Sequence, residues 1–383
     1  MSQRAAQSST FNFKEMIASR ADLAGYAIIL IPLLVYWVYW MLNPSYWFNG
    51  DPAAFYMVDS LSVFGGGHYT YVDHPGTPMQ VAGTAMMAAT YPLFRSREAL
   101  VDFYLRRPEV FFMMANVLLL AASLVTVIVF YRIARKTLAG NSILEAAAVS
   151  LLFFTLNPYS FPSLTFWSHN SLNFAFGTLL LLWLFNELLK ERELKPVKLL
   201  LIGFAAGVLA IAQIYFFTWM ATCVIAVFVF TYRLERSFKR SFVQGLYVAV
   251  GGLLGNISML LPIYKELPRF VNWTLHVTTH SGAYGTGEEG IFPLSLIPTA
   301  LTVWWLNAWP MVIALLLVII GLAVVAFLRR KTAAPVEPAI YAMTVAMTFH
   351  LFMLLIPLIK AALKLRYTLS LAATLPILVL LLL

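Results

Sequence analysis

Residues 199–231 read LLLIGFAAGVLAIAQIYFFTWMATCVIAVFVFT, with Lys195 and Lys198 just before them and Arg233, Arg236, Lys239 and Arg240 just after. A helix needs about 20 apolar residues to cross the roughly 30 Å of hydrocarbon in a bilayer, so this run is too long for one ordinary crossing. Basic clusters of this kind mark cytoplasmic loops, and here they lie at both ends. The stretch therefore leaves the cytoplasm and returns to it, as a hairpin of two short spans. Gln213 and Tyr215, the most polar residues midway along it, mark the outer turn.

The same reasoning extends in both directions. Hydrophobic residues make up 61% of the 383 and charged residues only 11%, which excludes a soluble protein. The pattern predicts an all-α, polytopic helical membrane protein forming one transmembrane domain over residues 1–383. Ten spans are expected: about 24–42, 109–131, 143–157, 171–189, the two arms of the 199–231 hairpin, 242–263, 296–328, 338–359 and 367–383. The 296–328 segment exceeds one crossing and must include a part that does not span. The early N-terminal residues lack an apolar core of signal-peptide type, so a cleaved leader is not expected.

The formal charge of +9 suggests nucleic acid until the 26 Lys and Arg are placed. Most fall in the short linkers between runs that the inside-positive bias puts in the cytoplasm, which excludes a basic nucleic-acid domain. Those linkers hold no phosphate-binding glycine motif and are too short for a nucleotide-binding domain. The single cysteine, Cys223, lies inside an apolar run, which excludes disulfides and thiolate metal centres.

Three outer regions remain, at about 43–108, 158–170 and 264–295, and five of the six histidines (His68, His74, His169, His276 and His280) fall in or beside them. In the first, Asp51-Pro52 leads into an interfacial helix over about 53–64. Asp51 reads either as a catalytic carboxylate or as a helix cap followed by proline at the first helical position. After Gly65-Gly66-Gly67 and Tyr69 comes Asp73-His74-Pro75-Gly76-Thr77-Pro78, which opens a second interfacial helix over about 78–92.

An acidic residue beyond the first span, an interfacial helix, glycines with a tyrosine, and a His-Pro motif opening a second such helix resemble the ArnT and protein O-mannosyltransferase group of GT-C-type glycosyltransferases. Asn157-Pro158, the spans around Gly203 and Gly207, and Lys364-Leu365-Arg366-Tyr367 fall where that group has comparable features. The first loop carries Asp51-Pro52 where the group commonly has an acidic doublet, and His74-Pro75-Gly76 where it has His-Pro-Pro. The resemblance implies an inverting glycosyltransferase that takes a sugar from a polyprenyl-phosphate donor, with Asp51, Asp73 and His74 as catalytic candidates. The acceptor would be an extracytoplasmic lipid, glycan or protein, and the setting a bacterial inner membrane with the active site on its outer face. A divalent cation, magnesium or manganese, is the candidate cofactor, with no ligand set assigned. Members of the group often continue beyond the position of Leu383, so a C-terminally truncated chain is also an expectation.

Lys360, Lys364 and Arg366 cluster at the outer end of a span, against the inside-positive bias. A helix would put Lys360 and Lys364 on one face. Such residues either snorkel to the phosphates of membrane lipids or hold a ligand phosphate; the resemblance implies the donor phosphate. His276 and His280, spaced i and i+4, read as metal ligands or as polar residues facing a cleft. The cleft would also take Tyr69, His169 and Tyr284, the last within a glycine-rich stretch that reads as a flap or an ordinary loop. Gly203, Gly207, Gly251 and Gly255 are expected to pack helices closely. A transporter or flippase is the rival function; it predicts ionisable residues near the midplane, where His350 is the main one.

Overall fold

The computed structural model describes residues 20–42, 50–72, 76–138, 142–190, 194–282, 285–291, 294–331, 336–361 and 363–383. The described chain is all-α. Helix α1 (Arg20–Met41) precedes a π-type turn (Gly50–Ala54) that runs into α2 (Phe55–Phe64). Then come α3 (Thr77–Thr90), α4 (Arg97–Arg106), α5 (Pro108–Thr137) and α6 (Ile143–Thr155). Helix α7 (His169–Leu172) continues through a π-type turn into α8 (Thr178–Lys190). The C-terminal half holds α9 (Pro196–Ala212), α10 (Phe217–Glu235), α11 (Phe238–Leu260), α12 (Leu267–Thr279), α13 (Ile297–Lys331), α14 (Pro338–Lys360) and α15 (Leu369–Leu382). Among the described residues eight helical segments are long and apolar enough to cross a membrane, which is the make-up of an integral multi-pass membrane protein. Two shorter apolar helices, α6 and α9, fall where spans were predicted.

The 199–231 hairpin forms as its sequence demands. Gln213, extended at φ −162° and ψ 137°, ends α9, and a 3-10 turn at Ile214–Phe216 starts the return along α10. The opposite corner is tighter: Arg236 takes a left-handed conformation (φ 54°) and the Ser237 hydroxyl accepts from the Arg240 N–H at 3.3 Å, capping α11. The long segment near 296–328 is broken at Ala308 (φ −151°, ψ 43°), two residues before Pro310. Proline lacks an N–H and its ring collides with the preceding turn, which accounts for the break.

Helices α9 and α11 meet at backbone distance. A Cβ built on Gly203 would lie 2.0 Å from the Val248 carbonyl oxygen, and one on Gly207 2.0 Å from that of Gly252. From the other side, a Cβ on Gly251 or Gly255 would lie 2.2 Å from the carbonyl oxygen of Leu200 or Phe204. The expected glycine packing is therefore present, and no larger residue fits.

The first and third outer regions are joined by a small apolar cluster of Tyr69, Val72, Ile263 and Phe270. The Arg269 guanidinium donates to the Thr70 carbonyl at 3.5 Å, and His68 Nε2 lies 3.9 Å from Glu266 Oε1. Asp59 holds the first region's own turn: its buried carboxylate accepts from Thr70 N, Thr70 Oγ1, Tyr71 N and Gln80 Nε2 at 2.7–2.9 Å. These four donors satisfy the carboxylate oxygens between α2 and α3 and offset the cost of burying them.

Candidate functional site

A cavity of about 340 Å³ opens at the ends of α9, α10, α12, α14 and α15. Gln213, Tyr215, Trp273, Thr278, Lys360 and Tyr367 line it, and Gly282 borders it from the glycine-rich loop. The wall is mostly apolar with a few polar groups, the usual make-up of a small-molecule site.

Each polar group has a local cause. Gln213 and Tyr215 reach the cavity because the chain turns between α9 and α10; the Gln213 Oε1 is buried with no hydrogen-bond donor among the described residues. Lys360 is the last residue of α14, and its buried ammonium donates to the carbonyls of Val277 (3.1 Å) and Thr278 (2.8 Å). Those carbonyls belong to the final turn of α12, which has no helical partner for them, so Lys360 caps one helix from the end of another. The Arg366 guanidinium lies 5.5 Å from the Tyr367 ring centre.

A hydrogen-bonded chain leads from Tyr215 toward the first outer region. The Tyr215 hydroxyl donates to Asn170 Oδ1 at 2.8 Å, Asn170 Nδ2 lies 3.2 Å from His169 Nε2, and His169 Nδ1 lies 2.7 Å from the Tyr56 hydroxyl. The Asn170 amide can only donate through its nitrogen, so His169 Nε2 accepts and its proton sits on Nδ1, facing Tyr56. The Tyr367 ring stands 6.4 Å from that of His169 and 6.2 Å from that of Tyr215. Gly76 sits against the far side of Tyr56, where a Cβ would be 2.0 Å from the ring. The chain leaving the Asp73-His74-Pro75 motif thus passes directly over this end of the relay.

The predicted site residues divide accordingly. His169 lies in the relay and Lys360 in the cavity wall, whereas Arg366 is half-buried against the Tyr367 ring and is not one of the cavity-lining residues. Lys364 does not share a helical face with Lys360 as expected: α14 ends at Lys360, the Lys364 N–H closes a turn onto the Ala361 carbonyl at 2.8 Å, and Lys364 is exposed. Tyr69 lies apart, buried in the loop-joining cluster with its hydroxyl 2.9 Å from Thr84 Oγ1. Thr84 donates onward to the Gln80 carbonyl, so Tyr69 is the donor, and burial pushes its phenol pKa up. Asp73, His74 and Tyr284 lie outside the described residues, as does the side chain of Asp51. The backbone of Asp51 lies within a helical stretch that begins at Gly50, so it is not at the predicted cap position.

His276 and His280 face one another with ring centres 4.1 Å apart, although α12 ends at Thr279 and His280 is its extended cap. Among the described residues no group of three or more His, Cys, Asp or Glu surrounds a common point. The described groups do not fit magnesium or manganese, which want several oxygen ligands: Asp59 is fully engaged by donors, and the cavity lining has no carboxylate. The glycine-rich loop is folded back on α12, with Ser281 and Glu288 joined main chain to main chain at 2.7 Å and Gly290 N–H donating to the Thr279 carbonyl at 2.7 Å. Gly282 (φ 82°) and Gly285 (φ 70°) allow the fold-back; a Cβ on Gly285 would also meet the His276 carbonyl at 2.7 Å.

Trp273 and Tyr367 of the cavity wall were not singled out from sequence as site residues, and neither were Tyr56, Asn170, Tyr215 and Gln213. The last two were read only as a turn, although two polar residues midway along an apolar run carried the signal. Asn170 stood beside His169. Nothing distinguished Tyr56 from the other aromatic residues of an interfacial helix.

No family model matches this chain, and neither a curated protein nor a solved structure matches it.

Proposed function

We propose that the chain is a GT-C-like membrane glycosyltransferase that moves a sugar from a polyprenyl-phosphate donor to an acceptor outside the cytoplasm. In this reading ten helices span, α6 and α9 among them; α2 and α3 lie at the interface; and the three outer regions share the outer face of a bacterial inner membrane. The observation that carries the reading is that side chains from regions far apart in sequence, Tyr215, Trp273, Lys360 and Tyr367, meet around one cavity with a buried lysine in its wall, and that the His169 ring stands behind Tyr367.

The chemistry follows from those groups. The bond between the anomeric carbon and the phosphate oxygen breaks, and its electron pair leaves on the polyprenyl phosphate. The acceptor oxygen forms the new bond from the opposite face, which inverts the configuration, and gives its proton to a carboxylate of the first outer region, Asp51. Lys360 and Arg366 stabilise the charge that accumulates on the leaving phosphate. Two of the three Lys360 donors go to main-chain carbonyls, and the third is available to a ligand among the described groups. The flat faces of Tyr215, Tyr367 and Trp273 suit an apolar sugar face.

The test is to incubate purified protein with a panel of radiolabelled polyprenyl-phosphate sugars and follow the release of polyprenyl phosphate. Release from one donor, lost in Asp51→Asn protein of unchanged melting temperature, is the expected result. Folded wild-type protein that releases nothing from any donor, yet moves a lipid-linked sugar across a vesicle wall, would transfer the assignment to a flippase.

A further inference from the structure

The polar side chains around the cavity differ in what they already hold. The Tyr215 hydroxyl donates to Asn170 Oδ1 at 2.8 Å, Thr218 Oγ1 to the Tyr215 carbonyl at 2.8 Å and Thr278 Oγ1 to the Thr274 carbonyl at 2.7 Å. Lys360 gives two of its three hydrogens to main-chain carbonyls. Gln213 is different. It is only 6% exposed, its Oε1 is buried without a donor, and no described group accepts from its Nε2.

The fold does not require an amide at this position. Gln213 is the extended residue that ends α9, and main chain makes the corner to α10, with the Phe216 N–H donating to the Gln213 carbonyl at 2.9 Å. The Gln213 side chain takes no part in the hydrogen bonds of that turn. An unpaired acceptor taken out of water is destabilising, whereas an apolar residue of the same length is not. The empty protein therefore carries a cost at the cavity wall that a ligand pairing with the amide offsets. The amide also restricts that ligand. Its terminal torsion is soft, so either the oxygen or the nitrogen can be turned to the cavity. A phosphate or carboxylate only accepts and would find no partner at the oxygen; an ammonium only donates and would find none at the nitrogen. A hydroxyl does both and suits either end.

We propose that Gln213 determines donor specificity, its amide holding one hydroxyl of the transferred sugar. The proposal rests on the transferase reading above, in which the donor phosphate goes to Lys360 and leaves the neutral, hydroxyl-bearing part of the donor for Gln213. It adds a residue that selects the sugar and has no part in breaking the bond.

Gln213→Met keeps the length and bulk of the side chain and deletes the amide. The full-length variant is compared with wild type in melting temperature and in kinetics, using the donor that wild type accepts and analogues of that donor lacking one ring hydroxyl each. Melting should be unchanged or higher, because the empty protein loses no bond, while donor KM rises about tenfold or more. One deoxy analogue should be poorer than its parent by a similar factor with wild type, and no poorer than its parent with Gln213→Met. A variant that melts lower or does not fold would make Gln213 a residue of the fold. Deoxy penalties equal in both proteins would remove its contact with a hydroxyl. Either result overturns the proposal, while turnover by wild type leaves the transferase reading standing. Wild-type protein that releases nothing from any donor overturns both.

Discussion

At Lys360 one ammonium holds the last turn of α12 and faces the cavity, so a substitution there has two separable effects. Lys360→Met keeps the stem's apolar bulk and removes both charge-assisted bonds, each worth about 1.5–3 kcal/mol. Thermal melting in detergent should report the lost helix anchor, and donor KM the lost phosphate partner. Arg366→Ala should raise donor KM by the equivalent of about 1.5–3 kcal/mol and leave acceptor KM nearly unchanged; equal effects on both substrates would make Arg366 structural. For Asp51, asparagine preserves shape and helical preference but cannot take a proton, so Asp51→Asn should lower turnover by about 100-fold or more with little change in melting. Retained turnover would move the search to Asp73. Tyr69 gives a pH signature: burial raises its phenol pKa above the ordinary 10.0, so its contribution to stability is complete below that value and fades as pH rises past it. Tyr69→Phe should remove that alkaline loss from melting curves. Polar residues in apolar surroundings, such as Lys360 and His169, could be found from sequence because their burial demands a reason. Tyr56 could not, since a tyrosine beside a membrane is expected whether or not its hydroxyl meets a histidine.

Helical elements were legible where length and charge spoke together. The predicted interfacial helices at about 53–64 and 78–92 correspond to α2 (Phe55–Phe64) and α3 (Thr77–Thr90), and the apolar runs to the long helices. Two elements were missed. Helix α4 opens with Ser96, whose hydroxyl accepts from the Ala99 N–H at 3.2 Å, a capping signal that its two arginines and two acids obscured. Helix α12, with Pro268 in its first turn, lies in an outer region where only the i, i+4 spacing of His276 and His280 was read. The glycine seam between α9 and α11 makes the sharpest prediction at this scale. Gly207→Val should force the helices apart and cost about 1–3 kcal/mol or more. Gly245→Ala is the control: its Cβ would meet Val224 at an ordinary 3.6 Å, and melting should barely move apart from the gain in helical preference.

For the whole molecule, sidedness underlies each functional assignment. Single cysteines placed near Tyr71 and Gly285 in a Cys223→Ala background should react with an impermeant thiol reagent from outside, and those near Arg135 and Arg236 only from inside. The parent thiol is fully buried, so unsubstituted protein should also take up no label and serves as the blank. The reverse labelling pattern would invert the site. Which loops meet was not legible: hydropathy orders spans along the chain but says nothing of their arrangement in the membrane plane. The contact of Tyr69 and Val72 with Ile263 and Phe270 joins segments almost two hundred residues apart through ordinary apolar side chains.

The α9–α11 seam also bears on how the protein is made. Each helix presents to the other a strip of bare backbone, and each strip is matched only by its partner. Ribosomal synthesis delivers α9 first, then α10, and only afterwards α11, so α9 enters the membrane with its glycine face covered by lipid or by the insertion machinery. The seam closes when the later helix arrives and displaces that cover. Biogenesis of the 199–231 hairpin is therefore complete only after a third helix has been translated, and a nascent chain halted before α11 should remain within reach of the insertase.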